Sequence, residues 1–450
     1  MDRREFLIAG GTAMAAGWLH PAFNAGRPRP SRAQLAWQSD ELAMFVHFGV
    51  NTFTDREWGD GREDPAIFNP TSLDARQWAH AARVAGFRAM ILTAKHHDGF
   101  CLWPTATTAH SVAHSPFRNG SGDVVREFVD ACRAEDLRPG LYLSPWDRNN
   151  PAYGDSPRYN NLYCDQLTEL LTRYGPIAEM WFDGANGEGP NGRRQVYDWP
   201  RTWALVRKLQ PDAVMFSDAG PDVRWCGNER GTAGDPNWST VDPSVVSVPG
   251  ESGPGVTDML QHGTPLGMVW RPAEVDVSIR PGWFHHAAED AKVRDVDNLL
   301  ELYHTSVGRN AKLLLNVPPT RDGLLHSTDV ERLRAFGQRR TARFAEDVAR
   351  DAAMRWHSGK GSAAAQLELR RVRTISSIRL EEAITRGQKV ARYAVYGSTR
   401  GAGDWKLLSR GTTIGYARID RFEPASVKSL RVEFDVAGES AEPIIVRAFA

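Results

Sequence analysis

Short apolar runs rich in branched and aromatic residues recur along most of the chain. They are Ala43–Val50, Arg88–Lys95, Leu137–Ser144, Ala178–Asp183, Ala213–Asp218, Leu266–Trp270 and Ala311–Val317. Near-continuous apolarity of this kind suits strands covered on both faces, as in a parallel sheet. Between them, apolar positions at helical spacing predict helices over Leu73–Ala85, Asp123–Glu135, Asn161–Tyr174, Trp199–Leu209 and Asp295–Val307. Asp123 is placed to cap the second of these. Such alternation belongs to a (β/α) barrel or to a large doubly wound sheet.

The ends of the runs separate the two. His47-Phe48-Gly49, Lys95-His96-His97-Asp98-Gly99, Ser144-Pro145-Trp146-Asp147, Trp181-Phe182-Asp183-Gly184 and Ser217-Asp218 all follow apolar stretches. A barrel gathers every strand C-terminus into one mouth, whereas a doubly wound sheet uses chiefly its switch point. No G-x-G-x-x-G follows the first run. The pattern therefore predicts a (β/α)8-like, TIM-type barrel over residues 31–345, closed by a polar helix at about Asp329–Arg350. Beyond it the period changes to two, as in Ala391, Tyr393, Val395 and Leu430, Val432, Phe434, Val436. Residues 355–450 therefore read as an antiparallel β-sandwich domain.

Composition narrows the function. Lys+Arg and Asp+Glu both number 55 in the 450 residues, for a formal net charge of zero. A balanced chain offers no basic field for nucleic acid or an anionic membrane surface. Residues 1–26 begin with Arg3-Arg4 and continue into the apolar, Gly-rich Phe6–Leu19. This start resembles a twin-arginine export signal, which predicts a periplasmic or secreted bacterial protein with no membrane contact after export. Cys101, Cys132, Cys164 and Cys226 have no metal-type spacing and read as free, buried thiols.

Two carboxylates stand out. Asp183 ends an apolar strand, where a carboxylate is costly unless something bonds or uses it; the plain alternative is a helix N-cap. Glu229 lies in a long loop with Trp225 and Trp238 near it in sequence. A carboxylate pair at one barrel mouth, among Trp and His, is the equipment of glycoside hydrolysis. His96 and His97, adjacent on a strand, are expected to diverge rather than share a metal. His110 and His114 lack the Glu of a zinc helix motif and read as loop or surface residues. Neutral imidazoles at the mouth suit hydrogen bonds to sugar hydroxyls.

The motifs Phe45-Val46-His47-Phe48-Gly49, Glu57-Trp58, Lys95-His96-His97-Asp98-Gly99-Phe100, Tyr142-Leu143-Ser144-Pro145-Trp146-Asp147, Trp181-Phe182-Asp183-Gly184 and Leu313-Leu314-Leu315-Asn316-Val317-Pro318-Pro319 resemble, in order, the α-L-fucosidases of glycoside hydrolase family 29. The resemblance implies a retaining hydrolase with no metal or cofactor, acting on fucosylated oligosaccharides or glycoconjugates. Asp183 matches the family's nucleophile. Gly227-Asn228-Glu229, after Gly220–Trp225, resembles the subgroup acting on α-1,3 and α-1,4 linkages, with Glu229 as acid/base. The resemblance further implies substrate contacts from His47, Glu57, His96, His97 and Tyr142, walls from Trp58 and Trp181, and Phe45 against the fucose methyl. Arg224 falls in the same stretch. Trp270, Glu274, Asp276, Arg280 and Trp283 are expected at the mouth, where Leu266–Trp270 as a strand would put them, to hold the neighbouring sugar of a branched substrate. Broad specificity including α-1,2 linkages, and a catalytically silent sugar-binding protein, are the alternatives. The C-terminal part resembles galactose-binding-like sandwiches.

Overall fold

The computed structural model describes residues 27–400, 403–436 and 442–450; the expected export segment lies outside them. Eight strands close a barrel in chain order: β1 (Leu42–Val46), β2 (Ala89–Lys95), β3 (Arg138–Leu143), β4 (Glu179–Trp181), β5 (Val214–Ser217), β6 (Val223–Trp225), β7 (Ala273–Ser278) and β8 (Ala311–Asn316). Every pairing around the ring is parallel. The predicted helices form, at 75–85, 124–134, 156–173, 199–209 and 296–306. The Asp123 side chain accepts a hydrogen bond from Arg126 N, as a cap should. The closing helix is shorter than expected and ends at Arg343.

Two barrel strands differ from the sequence reading. Leu266–Trp270 is not one of them; Val269–Trp270 pairs antiparallel with Thr240–Val241 outside the ring. Leu266 and Met268 are 78% and 68% exposed, so that apolar run marks surface rather than core. The true strand is β7, whose sequence AEVDVS looks half-polar although all of it is buried. Its Val275 and Val277 pack outward on the helices, while Glu274, Asp276 and Ser278, on the alternate positions, face inward. The other missed strand, β6, follows β5 through residues 218–222 with no intervening helix, so no alternation announces it.

The core has two layers. One lies between the barrel and its helices and contains Met44, Trp78, Leu92, Phe128, Leu167 and Leu313. The other fills the barrel and contains Trp37, Phe45, Ile91, Tyr142, Trp181, Phe216 and Leu314. Towards the N-terminal ends of the strands the filling turns polar. Lys312 Nζ there lies 3.1 Å from Glu179, 3.8 Å from Asp40 and 3.9 Å from Glu274. All four cysteines are free and buried.

The C-terminal domain is antiparallel: β9 (Ala353–Gly359), β10 (Ser362–Glu381), β11 (Val390–Ser398), β12 (Lys406–Gly411), β13 (Arg418–Val436) and β14 (Ile445–Phe449). The long strands β10 and β13 pair with register breaks at Glu368/Arg373 and Ile375/Ser377. Residues from both sides of the breaks, Leu367, Ile378, Leu430, Phe434 and Val446, share one hydrophobic cluster. This domain docks on the N-terminal side of the barrel. Arg379 pairs with Glu41, just before β1, and Tyr416 N donates to Asn310, just before β8. Arg418 forks onto both oxygens of Asp235 at 2.9 and 3.0 Å. The barrel mouth is left to the loops that follow the strands.

Candidate active site

The site is assembled from side chains at or just past the C-terminal ends of the strands. His47 follows β1, and its Nδ1 lies 2.8 Å from Asn316 Oδ1 at the end of β8. Asn316 in turn donates to Ser278 Oγ and to Trp283 O. His97 Nδ1 lies 2.7 Å from Ser144 Oγ. Burial lowers His47 and His97 to about 3 and His96 well below its usual value; the neighbouring histidines disfavour a charge on His47 and His96, and Arg148 and Lys95 disfavour one on His97. All three rings are therefore neutral near pH 7 and keep both donor and acceptor capacity. His96 and His97 do not diverge: their ring centroids are 4.1 Å apart. Strand alternation ends at Lys95, so it does not govern the two residues that follow.

Aromatic rings frame the histidines. Phe45 meets Trp181 at 5.2 Å, Tyr142 at 6.0 Å and Trp283 at 6.4 Å. Trp181 stacks on Phe216 at 4.2 Å, and its indole N–H donates to Glu274 below it. Phe284 packs edge-on against His47 and His96. Trp58 stands at the rim, 59% exposed, beside His97 and Trp146. Glu57 accepts from Trp283 N and Phe284 N and lies 2.7 Å from His286 Nε2, so it holds the segment after β7 against the mouth. Beneath the histidines the buried Lys95 ammonium donates to Asp147, Gln166 and Tyr159.

Four carboxylates line one pocket of about 200 Å³ with Trp181, Phe216 and Trp225: Asp183, Asp218, Glu229 and Asp276. Asp183 is not a helix cap, since the next helix starts at Trp199 and is capped by Asp198. Its Oδ1 accepts from Ala185 N at 2.6 Å and its Oδ2 from Tyr142 OH at 3.5 Å. Burial raises its pKa, and these two donors oppose the rise. Glu229 stands on the loop after β6 with its outer side open to solvent. Desolvation by its walls raises it first, then the charge of Asp183, against a bond from Trp283. Asp276 accepts from Trp225 Nε1 at 2.8 Å, and burial followed by Glu229 pushes it well up.

Other expected contacts lie elsewhere. Arg224 sits between Val223 and Trp225 on β6, and alternation turns it out of the barrel. There its guanidinium is spent on Leu260 O, Arg271 O and Asn237 Oδ1. Trp270 precedes β7 and bonds Gln38, at the opposite end from the mouth. Glu274 is fully buried under Trp181 and cannot meet a second sugar. Arg280 is buried between Asp290 and Asp329. His110 is in a loop but buried, 4.0 Å from Glu63. The residues that sequence reasoning missed are Ser144, Asn316, Phe284, Trp225 and Asp218. Asn316 stands inside the LLLNVPP motif, and Ser144 and Asp218 stand in the polar clusters that end their strands, so a signal for them existed; Phe284 and Trp225 become significant only through their partners in space.

Asp98, 3.9 Å from His96, carries a testable consequence. Its Oδ1 accepts from Phe100 N, yet burial, with Glu63 and Asp147 nearby, raises it from 3.8 to about 7. The folded state then binds the proton more tightly than the unfolded chain does. This group's contribution is complete below about 3.8 and is lost as pH rises to about 7. Asp98→Asn keeps the acceptor and removes the titration. The expected result is a variant whose urea midpoint falls less than that of the parent between pH 4 and 8; parallel curves would contradict it.

The family model described as alpha-L-fucosidase matches residues 27–339. Alpha-L-fucosidase 1 of Arabidopsis thaliana is 42% identical over 447 residues, covering 93% of this chain and 86% of its own. A glycoside hydrolase 29 family member from a rumen bacterium superposes with a TM-score of 0.85 at 39% identity, covering 94% of this chain and 77% of its own. A Ruminococcus gnavus GH29 fucosidase solved in complex with fucose gives 0.85 at 30% identity, covering 94% and 95%.

Proposed function

The chain belongs to the α-L-fucosidases of glycoside hydrolase family 29, and from that premise we propose that it releases terminal α-1,3- or α-1,4-linked L-fucose by double displacement, with Asp183 as nucleophile and Glu229 as acid/base. The observation that carries the reading is that Asp183 and Glu229 line one pocket, Asp183 deep in it and Glu229 on its open side. Burial raises Asp183, and the bonds it accepts from Ala185 N and Tyr142 OH oppose that rise and favour the anion a nucleophile needs. Glu229 is raised by its walls and by the charge of Asp183, which favours the protonated form a general acid needs.

In the first step the Asp183 carboxylate attacks the anomeric carbon while Glu229 gives its proton to the leaving oxygen. In the second, Glu229 takes a proton from water, which displaces Asp183 from the fucosyl-enzyme. The transition state carries oxocarbenium character, which the surrounding carboxylates favour. The neutral imidazoles of His47, His96 and His97 and the Tyr142 hydroxyl serve the ring hydroxyls. The apolar faces of Phe45 and Trp181 suit the methyl of a 6-deoxy sugar. Glu229, Trp225 and Asp276 lie on the leaving-group side, and Asp276, rather than Glu274, is the inward carboxylate left for a neighbouring sugar. Residues 1–26 serve export in this reading, and the enzyme works outside the cytoplasm.

The test uses two readouts. Proton NMR of the first product should show α-L-fucose before mutarotation; β-L-fucose would exclude double displacement. A panel of branched α-1,3/1,4-fucosylated and linear α-1,2-fucosylated oligosaccharides should show at least a tenfold higher kcat/KM on the branched members. Equal rates would replace the linkage reading by broad specificity.

A further inference from the structure

The carboxylate of Asp218 is unassigned in this mechanism. It follows β5 and lines the same pocket as Asp183, where none of the lining residues is a cation. Its Oδ2 accepts a hydrogen bond from Gly250 N at 3.0 Å. That bond joins three backbone segments at one point. A Cβ on Gly184, the residue after Asp183, would fall 2.5 Å from Asp218 Oδ2 and 2.8 Å from Gly250 N. A Cβ on Gly250, at φ +79°, would fall 2.2 Å from Gly184 O. The Gly250 segment also rests on an apolar cluster of Val241, Val246, Val256 and Leu260, with Trp225 against it.

We propose that Asp218 is a positioning residue for the fucosidase reaction: it fastens the Gly250 segment over the chain that carries Asp183 and adds a negative charge beside the reacting centre. The inference rests on the assignment of Asp183 as nucleophile. The ionisable groups around that centre are Asp183 after β4, Glu229 after β6, Asp276 on β7 and Tyr142 on β3. Burial first, and then the charge of Asp183, raise Asp218 to about 6 against the bond from Gly250 N. Above that pH Asp218 carries its charge. The second charge favours the positive character that develops on the sugar ring.

The experiment compares Asp218→Asn and Asp218→Ala with the parent enzyme, using an aryl α-L-fucoside from pH 4 to 9. Asparagine keeps an oxygen for Gly250 N and loses the charge. Its kcat/KM at pH 7 should fall about tenfold, and the acidic limb should move to lower pH, because the ionisation of Asp218 is gone. Alanine should fall about tenfold further with the same displaced limb, so that asparagine counts as partial rescue. Should the alanine variant fail to fold, the asparagine profile decides by itself. A profile superimposable on the parent's overturns the inference, and so does an asparagine variant as inactive as Asp183→Ala, which would make Asp218 itself catalytic. Trapping with a 2-deoxy-2-fluoro-fucosyl fluoride keeps the two assignments apart. A label on another residue removes the premise, whereas a label on Asp183 with an unmoved limb removes only this inference.

Discussion

Asp183→Ala lowers the turnover of an aryl α-L-fucoside by about four orders of magnitude, roughly 5.4 kcal/mol of transition-state stabilisation, while the protein stays folded. The loss is large because, on the proposed assignment, Asp183 forms the covalent intermediate. The fold survives because burial raises the Asp183 carboxyl, so its anion is held at a cost that alanine removes. Its neighbours keep alternatives: Ala185 N lies in a loop, and the Tyr142 hydroxyl also has Ser144 as a partner. Azide added to the variant should enter from the vacated side and give β-L-fucosyl azide, inverted relative to substrate. The measurement is steady-state kinetics with circular dichroism, followed by NMR of the azide product. Activity within tenfold of the parent would remove Asp183 from the mechanism.

Glu229→Gln gives the second large effect, and that effect depends on the leaving group. An oligosaccharide leaves as a poor alkoxide and needs the proton, so its kcat/KM should fall by about 10²–10⁴. A dinitrophenyl or similarly activated fucoside leaves unaided, so the first step survives and deacylation becomes limiting. Azide then intercepts the fucosyl-enzyme and gives α-L-fucosyl azide, with retention, the opposite anomer from that of the Asp183 variant. The basic limb of the pH profile should also disappear, since on the proposed assignment it reports Glu229 losing the proton that the pocket walls and the charge of Asp183 favour. Equal losses on activated and natural substrates would reopen the search among Asp218 and Asp276, the other carboxylates of the pocket.

Why these residues could be singled out beforehand is a matter of local chemistry. Barrel strands buried on both faces must be apolar throughout, so a polar cluster at the end of one is conspicuous. His47, His96, His97, Trp181 and Asp183 all stood in such clusters, Tyr142 was named only by the family resemblance, and the structure brings them into one mouth. The same rule failed where an apolar run belonged to the surface. Leu266–Trp270 looked like a strand, and the error carried Glu274 and Arg280 to the mouth, although one lies under Trp181 and the other beside Asp329. In β7, inward acids alternate with outward valines. No local pattern distinguishes those acids from solvated ones, because their partners, Lys312, Trp181 and Trp225, come from other strands.

The amino-acid sequence by itself determined the barrel, the change to an antiparallel domain and the motif residues of the mouth, because strand burial and helix periodicity are written in neighbouring positions. Tertiary structure alone decided the protonation and partnership of those residues. It set the His96 ring close against His97, tilted to it, beyond the end of β2 and turned Arg224 outward by one step of the pleat. It also set Asn316 against His47, and Asp218 against Gly250 beside Gly184. Each of these depends on which strand ends lie side by side when the ring closes. Closure joins positions far apart along the chain, and low dielectric around them then sets which carboxylates keep their protons.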